Sequence, residues 1–213
     1  MESILIIDKD GAKRWKLPNG KCHRKDGPAV EYINGTKEWY LWGKLHREDG
    51  PAIEWISGIK KWYFQGKYHR KDGPAIEWAN GIKKWYFKGK LHRENGPAIE
   101  CSDGTKSWFF AGKCHREDGP AIEWTNGNKR WYIRDKLHRE DGPAVELVNE
   151  YNFWYIDGYN YTEKVYNFII RRRRKIAFKY WLKWTDYVMD PNTKRGKRFM
   201  NRQYDKILKL YQT

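Results

Sequence analysis

The sequence predicts a mainly β fold: an elongated solenoid of stacked antiparallel β-hairpins with a C-terminal α-helical cap. Three observations predict it. All six histidines (His23, His46, His69, His92, His115 and His138) follow one another by 23 residues, and a fixed period of this length marks a repeat array. A tryptophan recurs on the same spacing at Trp39, Trp62, Trp85, Trp108, Trp131 and Trp154. The periodicity then stops, and composition changes, at about residue 159.

Composition agrees. Of 213 residues, 17% are aromatic, including 13 Trp and 15 Tyr. Disordered chains lack such residues, so extensive disorder is excluded. No stretch approaches the roughly 18 consecutive apolar residues of a membrane span. The opening run Ile4-Leu5-Ile6-Ile7 has neither the basic flank nor the cleavage site of a secretory leader. Three cysteines without framework spacing fit a reducing compartment. The expected location is therefore intracellular, not secreted.

Residues 1–19 read as an N-terminal strand and a partial repeat, because Gly11 and Trp15 keep the spacing of Gly35 and Trp39. An extra residue near Pro18-Asn19 breaks the register. Residues 20–158 hold six units, each carrying His-Arg-x-Asp-Gly-Pro-Ala, with Asn95 the one departure from Asp. In the third full unit, Pro74 to Trp78 leads through Asn80-Gly81 to Ile82-Lys83-Lys84-Trp85. Asn-Gly predicts a two-residue type I′ turn. That turn sets Ile76 opposite Trp85, Glu77 opposite Lys84 and Trp78 opposite Lys83. Ile76, Trp78, Trp85 and Phe87 then form the core face, and Ala75, Glu77, Lys84 and Tyr86 the solvent face. The same register pairs Glu54 with Lys61 and Trp55 with Lys60, and sets Glu31 against Glu38. Gly43, Gly66, Gly89 and Gly112 mark a second turn, with Asp135 in the fifth slot. The last unit has Asn149-Glu150 for Asn-Gly, so its pairing is expected to loosen.

Segments such as Leu45-His46-Arg47-Glu48-Asp49-Gly50-Pro51-Ala52, copied six times in register, resemble the variant branch of the MORN (membrane occupation and recognition nexus) repeat family. The resemblance covers about two-thirds of the chain. It implies stacked β-hairpins, no catalytic residues, and an interaction or membrane-associated scaffold. It also implies a setting similar to that of such repeats in bacterial and phage proteins and in giant DNA viruses, and so a location in host cytoplasm or a virus particle.

Residues 159–213 form a basic helical segment with 15 basic against 4 acidic residues, hence +11 of the net +16. Thr162-Glu163 is placed to cap a helix running to about residue 187, and a second helix is predicted from about 196 to 210. Candidate contacts for nucleic acid or another anion are Arg171, Arg172, Arg173, Arg174 and Lys175, with Lys194, Arg195, Lys197 and Arg198. The competing role is a cap on the solenoid, since terminal units of arrays need one.

The histidines do not predict a metal centre. Equivalent residues one unit apart lie roughly 10 Å from each other, too far to share a zinc held at about 2 Å by each ligand. A structural ladder, with each imidazole hydrogen-bonded to a turn, is expected. In Asp-Gly-Pro-Ala, Asp is expected to accept turn amides and Pro to start the next strand. Cys22, Cys101 and Cys114 occupy slots filled elsewhere by Leu, Tyr or Trp, and read as core substitutions. With no distinctive constellation, no catalysis and no cofactor are expected. The function expected is a non-enzymatic protein–protein interaction scaffold. The alternative is binding of nucleic acid or an anionic surface through the basic tail. Membrane association, and carbohydrate stacking on Tyr40, Tyr63, Tyr86, Tyr132 and Tyr155, rank lower.

Overall fold

The computed structural model describes residues 2–149 and 151–188. They divide into a β unit ending at Thr162 and a helical unit beginning at Glu163. The β unit is built on one 13-stranded antiparallel sheet whose strands follow in chain order, from Ile4–Ile7 and Lys13–Lys16 to Val145–Glu146. Six two-stranded sheets accompany it. Each repeat therefore makes two hairpins. In the third unit the first is Ile76–Glu77 with Lys83–Lys84, which joins the long sheet; the second is Tyr86–Phe87 with Lys90–Leu91, which stands apart. Trp85 is the hinge between them: its N–H donates to the Ala98 carbonyl at 2.8 Å, and its carbonyl accepts the His92 N–H at 3.1 Å.

The register differs from the expected one by a single residue. Ile76 faces Lys84 and Glu77 faces Lys83. The cause lies in the Asn-Gly turn, where Gly81 has φ +88° but Asn80 does not enter the left-handed region. The Trp78 N–H donates to the Ile82 carbonyl at 2.9 Å and the Gly81 N–H to the Trp78 carbonyl at 3.0 Å. Ala79-Asn80-Gly81 is thus a three-residue loop closed by a bulge at glycine, the next most common hairpin after the two-residue kind. The Asn80 side chain accepts the Ile82 N–H at 3.2 Å and takes over one turn amide. Type I′ turns do occur, but at the second glycine series: Lys88 (φ +50°) and Gly89 (φ +82°) link Phe87 to Lys90. Asp135 fills its slot with φ +69°, as expected. Near Pro18-Asn19 the extra residue converts this turn into a three-residue loop, closed by the Leu17 N–H on the Lys21 carbonyl at 2.9 Å.

A one-residue slip exchanges the faces of a strand, and the core changes accordingly. Ala29, Ala52, Ala75, Ala98, Ala121 and Ala144 are each 0% exposed, and Val30, Ile53, Ile76 and Val145 beside four of them are also buried. Consecutive residues point to opposite faces of a strand, so both faces are covered there. Phe87, expected in the core, is 41% exposed. Trp78 and Trp85 are half-buried. Glu31 faces Lys37, so the expected Glu31–Glu38 clash does not arise. The aromatic–lysine pairs exist with the neighbouring base: Lys61 lies over Trp55 at 4.5 Å and Lys84 over Trp78 at 5.1 Å. In the last unit the first hairpin shrinks to a single bridge, Val145 with Phe153, where Asn149-Glu150 replaces Asn-Gly.

The helical unit contains one described helix, Glu163–Val188. Among the helix residues whose side chains are described, Tyr166 and Ile170, one turn apart, are buried. The second expected helix, 196–210, lies outside the described residues.

Candidate functional site

The repeated signature is consumed by internal contacts. The arginine after each histidine stacks its guanidinium on a tryptophan: Arg24 on Trp15, Arg47 on Trp39, Arg70 on Trp62, Arg93 on Trp85, Arg116 on Trp108 and Arg139 on Trp131, all between 3.9 and 4.1 Å. The same group reaches forward. Arg70 donates to the Pro74 carbonyl at 3.2 Å and to Glu77 at 2.8 Å, and Arg93 to Pro97 at 3.0 Å and Glu100 at 2.8 Å. One side chain thus roofs the tryptophan, satisfies the carbonyl before the buried alanine and neutralises a strand carboxylate. Its planar fork suits all three contacts, which lysine could not make together. The signature aspartate answers to this arginine in three units, through Arg47 to Asp49 at 3.0 Å, Arg116 to Asp118 at 3.0 Å and Arg139 to Asp141 at 2.7 Å. It was expected to accept turn amides; the arginine is the stronger, charged donor. Arg47 and Arg116 hold the Asp49 and Asp118 carboxyls below the usual range.

The histidines form the expected ladder. Nδ1 of His23, His46, His69, His92 and His138 accepts the N–H of Trp42, Gln65, Lys88, Ala111 and Asp157, at 3.1 to 3.2 Å. Each donor is the first left-handed residue of the type I′ turn one unit ahead. An accepting Nδ1 places the proton of the neutral ring on Nε2. Where a glutamate lies two residues on, Nε2 faces it, from 3.5 Å at Glu48 to 3.9 Å at Glu94. Lys25 and Lys71 replace that glutamate beside His23 and His69. Both imidazoles ionise below their ordinary range, first through burial and then through these lysines. His115 is the exception, its Nδ1 having no partner among the described residues; there Asp135 holds the turn through its carboxylate on the Cys114 N–H at 2.7 Å.

Between the second hairpins lie grooves floored by aromatic rings. Phe64, Phe87 and Phe110 alternate with His46, His69, His92 and His115, with centroids 4.7 to 6.2 Å apart. One groove, of about 1130 Å³, runs from Lys44 to Lys88, and its neighbour of about 650 Å³ runs from Arg70 to Asn95. Arg70, Lys71, Asp72 and Phe87 border both. Sequence reasoning missed this surface because it assigned Phe87 to the core. The tyrosine row, in contrast, offers no stacking platform around Tyr63 and Tyr86, whose rings lie 4.3 and 5.1 Å from Tyr68.

Of the basic tail residues, Arg171 to Arg174 and Lys175 lie on the helix Glu163–Val188, with Arg171, Arg172, Arg173 and Lys175 exposed and Arg174 half-buried. Four consecutive helical positions fan around the axis and cannot share one face. Lys194, Arg195, Lys197 and Arg198 lie outside the described residues. Cys114 is buried, and burial pushes its thiol up to about 12, far from thiolate chemistry at neutral pH. Comparison with known proteins returns no matching family and no matching curated relative.

Proposed function

We propose that the protein is a non-enzymatic interaction scaffold of the MORN-variant type, of a large DNA virus or phage, acting inside the cell. The observation that carries this reading is the use made of the signature: its arginine and, in five of six units, its histidine are bound to neighbouring parts of the array. Side chains so engaged serve rigidity. A rigid array offers a long surface on which single positions vary at little cost. No described helix is long and apolar enough to cross a membrane, so attachment to a bilayer through such a helix plays no part in the proposal.

The exposed Arg171, Arg172, Arg173 and Lys175 favour a second reading, contact with nucleic acid or an anionic surface through the tail. One experiment separates the two. Full-length chain and a variant with residues 171–175 all changed to Gln are used as bait after nuclease treatment, at low and high salt. Protein capture that survives nuclease, salt and the tail substitutions supports the scaffold. Capture lost to all three transfers the function to the tail, because phosphate contacts weaken steeply with salt.

A further inference from the structure

We propose that the groove over Phe64 and Phe87 is a docking site for a short acidic segment of a partner protein that carries apolar side chains between its carboxylates. This rests on the scaffold reading and names its contact surface. The first ground is the array's own symmetry. What the fold requires appears in every unit, so a residue that departs in one unit answers to something else. Lys71 stands where four other units carry Glu48, Glu94, Glu117 and Glu140; the first unit also has a lysine there, Lys25, which lines neither groove. Lys88 stands at a turn position that asks only for a backbone N–H, and is filled elsewhere by Trp42, Gln65, Ala111, Arg134 and Asp157. Asn95 replaces the signature aspartate. All three departures move charge in the positive direction, and all three line the two grooves that meet at Phe87.

The second ground is charge complementarity. The larger groove is lined by Lys44, Arg47, Lys67, Arg70, Lys71 and Lys88 against Glu48, Asp49 and Asp72. Both arginines are already paired, Arg47 with Asp49 and Glu54 and Arg70 with Glu77. Among the described residues, none of the four lysines forms an ion pair. Their charge awaits an anion, while Phe64 and Phe87, 40% and 41% exposed, give an apolar floor.

A polynucleotide fits less well. The Lys88 ammonium lies 5.3 Å from the Phe87 centroid, and imidazoles tilt against the ring on both sides. These neighbours leave less of the Phe87 face for the base stacking on which single-strand binders rely. Glu48 and Asp49 on one side, and Glu94 and Glu117 in the following units, would repel a continuing chain of phosphates. A polypeptide a few residues long places carboxylates on the lysines and turns its backbone N–H groups toward the flanking acids.

The test uses the full chain and a fluorescein-labelled peptide, Glu-Asp-Asp-Phe-Glu-Glu-Phe-Asp-Asp-Glu, read by fluorescence anisotropy at physiological salt, with labelled oligo-dT of similar length beside it. The variant Lys71→Glu/Lys88→Gln installs residues already tolerated at positions 48 and 65, so it keeps the fold; circular dichroism verifies this. Lys83→Gln/Lys106→Gln/Lys129→Gln removes the same net charge from exposed sheet positions. The expected result is peptide affinity about tenfold lower in the groove variant and nearly unchanged in the sheet variant. Equal losses in both, no loss in either, or no peptide binding would overturn the groove. Oligo-dT binding that is tighter than peptide binding and lost with Lys71 and Lys88 would overturn the choice of partner. The scaffold reading fails separately, through the bait experiment: protein capture retained by Lys71→Glu/Lys88→Gln keeps the scaffold while rejecting this site.

Discussion

The two hairpins of a repeat are made by different means. The first closes on its own sequence: in the third unit Gly81 takes the left-handed position and the Asn80 side chain accepts the Ile82 N–H. Asn34, Asp103 and Asn126 do the same for Thr36, Thr105 and Asn128. The second hairpin places Trp42, Gln65, Lys88, Ala111 and Asp157 at φ of about +50 to +55°, where non-glycine residues are strained. It is held by a histidine from the preceding unit. Local chemistry suffices for one turn, and the other exists only because repeats are stacked.

The hardest way to break both at once is at their joint. Trp85→Ala removes the ring under Arg93 and is expected to cost about 3 kcal/mol, seen as a lower urea midpoint. Hydrogen exchange should accelerate in both hairpins of that unit together; acceleration in one alone would mean that they are energetically separate. Removing only the tie between units is milder. His69→Ala leaves the Lys88 N–H without its acceptor and is expected to cost about 1–2 kcal/mol. His115→Ala, where no such bond exists, is expected to cost clearly less. Equal thermal shifts for the two would remove the hydrogen bond from the explanation.

Acid should act on the second hairpin first. His23 and His69 accept turn amides only when neutral, and their ionisation is depressed in the fold. Their stabilisation is therefore complete above about pH 6.5, the unfolded imidazole value, and is lost as pH falls below it. Asp49 and Asp118 are also depressed, but from the carboxylate range, so their contribution lasts down to about pH 4 and is lost beneath it. Urea midpoints against pH should show these as two separate declines, the upper one smaller in His23→Gln/His69→Gln. The smallest effect belongs to the first turn: Asn80→Ala, with Gly81 intact, is expected to cost about 0.5 kcal/mol and to leave exchange in the second hairpin unchanged.

The same division governs what could be read from the sequence. The period, the stacked hairpins, the histidine ladder, Asp135 in a turn and the loosened last unit were all legible, because each depends on residue type at a fixed interval. The register was not. Asn-Gly serves both two- and three-residue loops, and the choice between them moves every cross-strand partner by one. That single residue buried the alanines, brought Phe87 to the surface and hid the groove from sequence reasoning. The arginine roof on each tryptophan was equally hidden, since the Lys88-Gly89 turn lies between Trp85 and Arg93 and no single strand or helix period carries across it.

The histidine ties run one way along the chain. Every unit but that of His115 supplies the acceptor for the unit that follows, so the array has a direction as a zip fastener has. A nascent chain emerging N-terminus first makes each histidine-held left-handed turn after its acceptor. Loss of units from the C-terminal end strands an imidazole, which water can serve. Loss from the N-terminal end strands a strained turn, which water cannot hold in place. Assembly and erosion of the array should thus be vectorial, with the N-terminal units as its foundation.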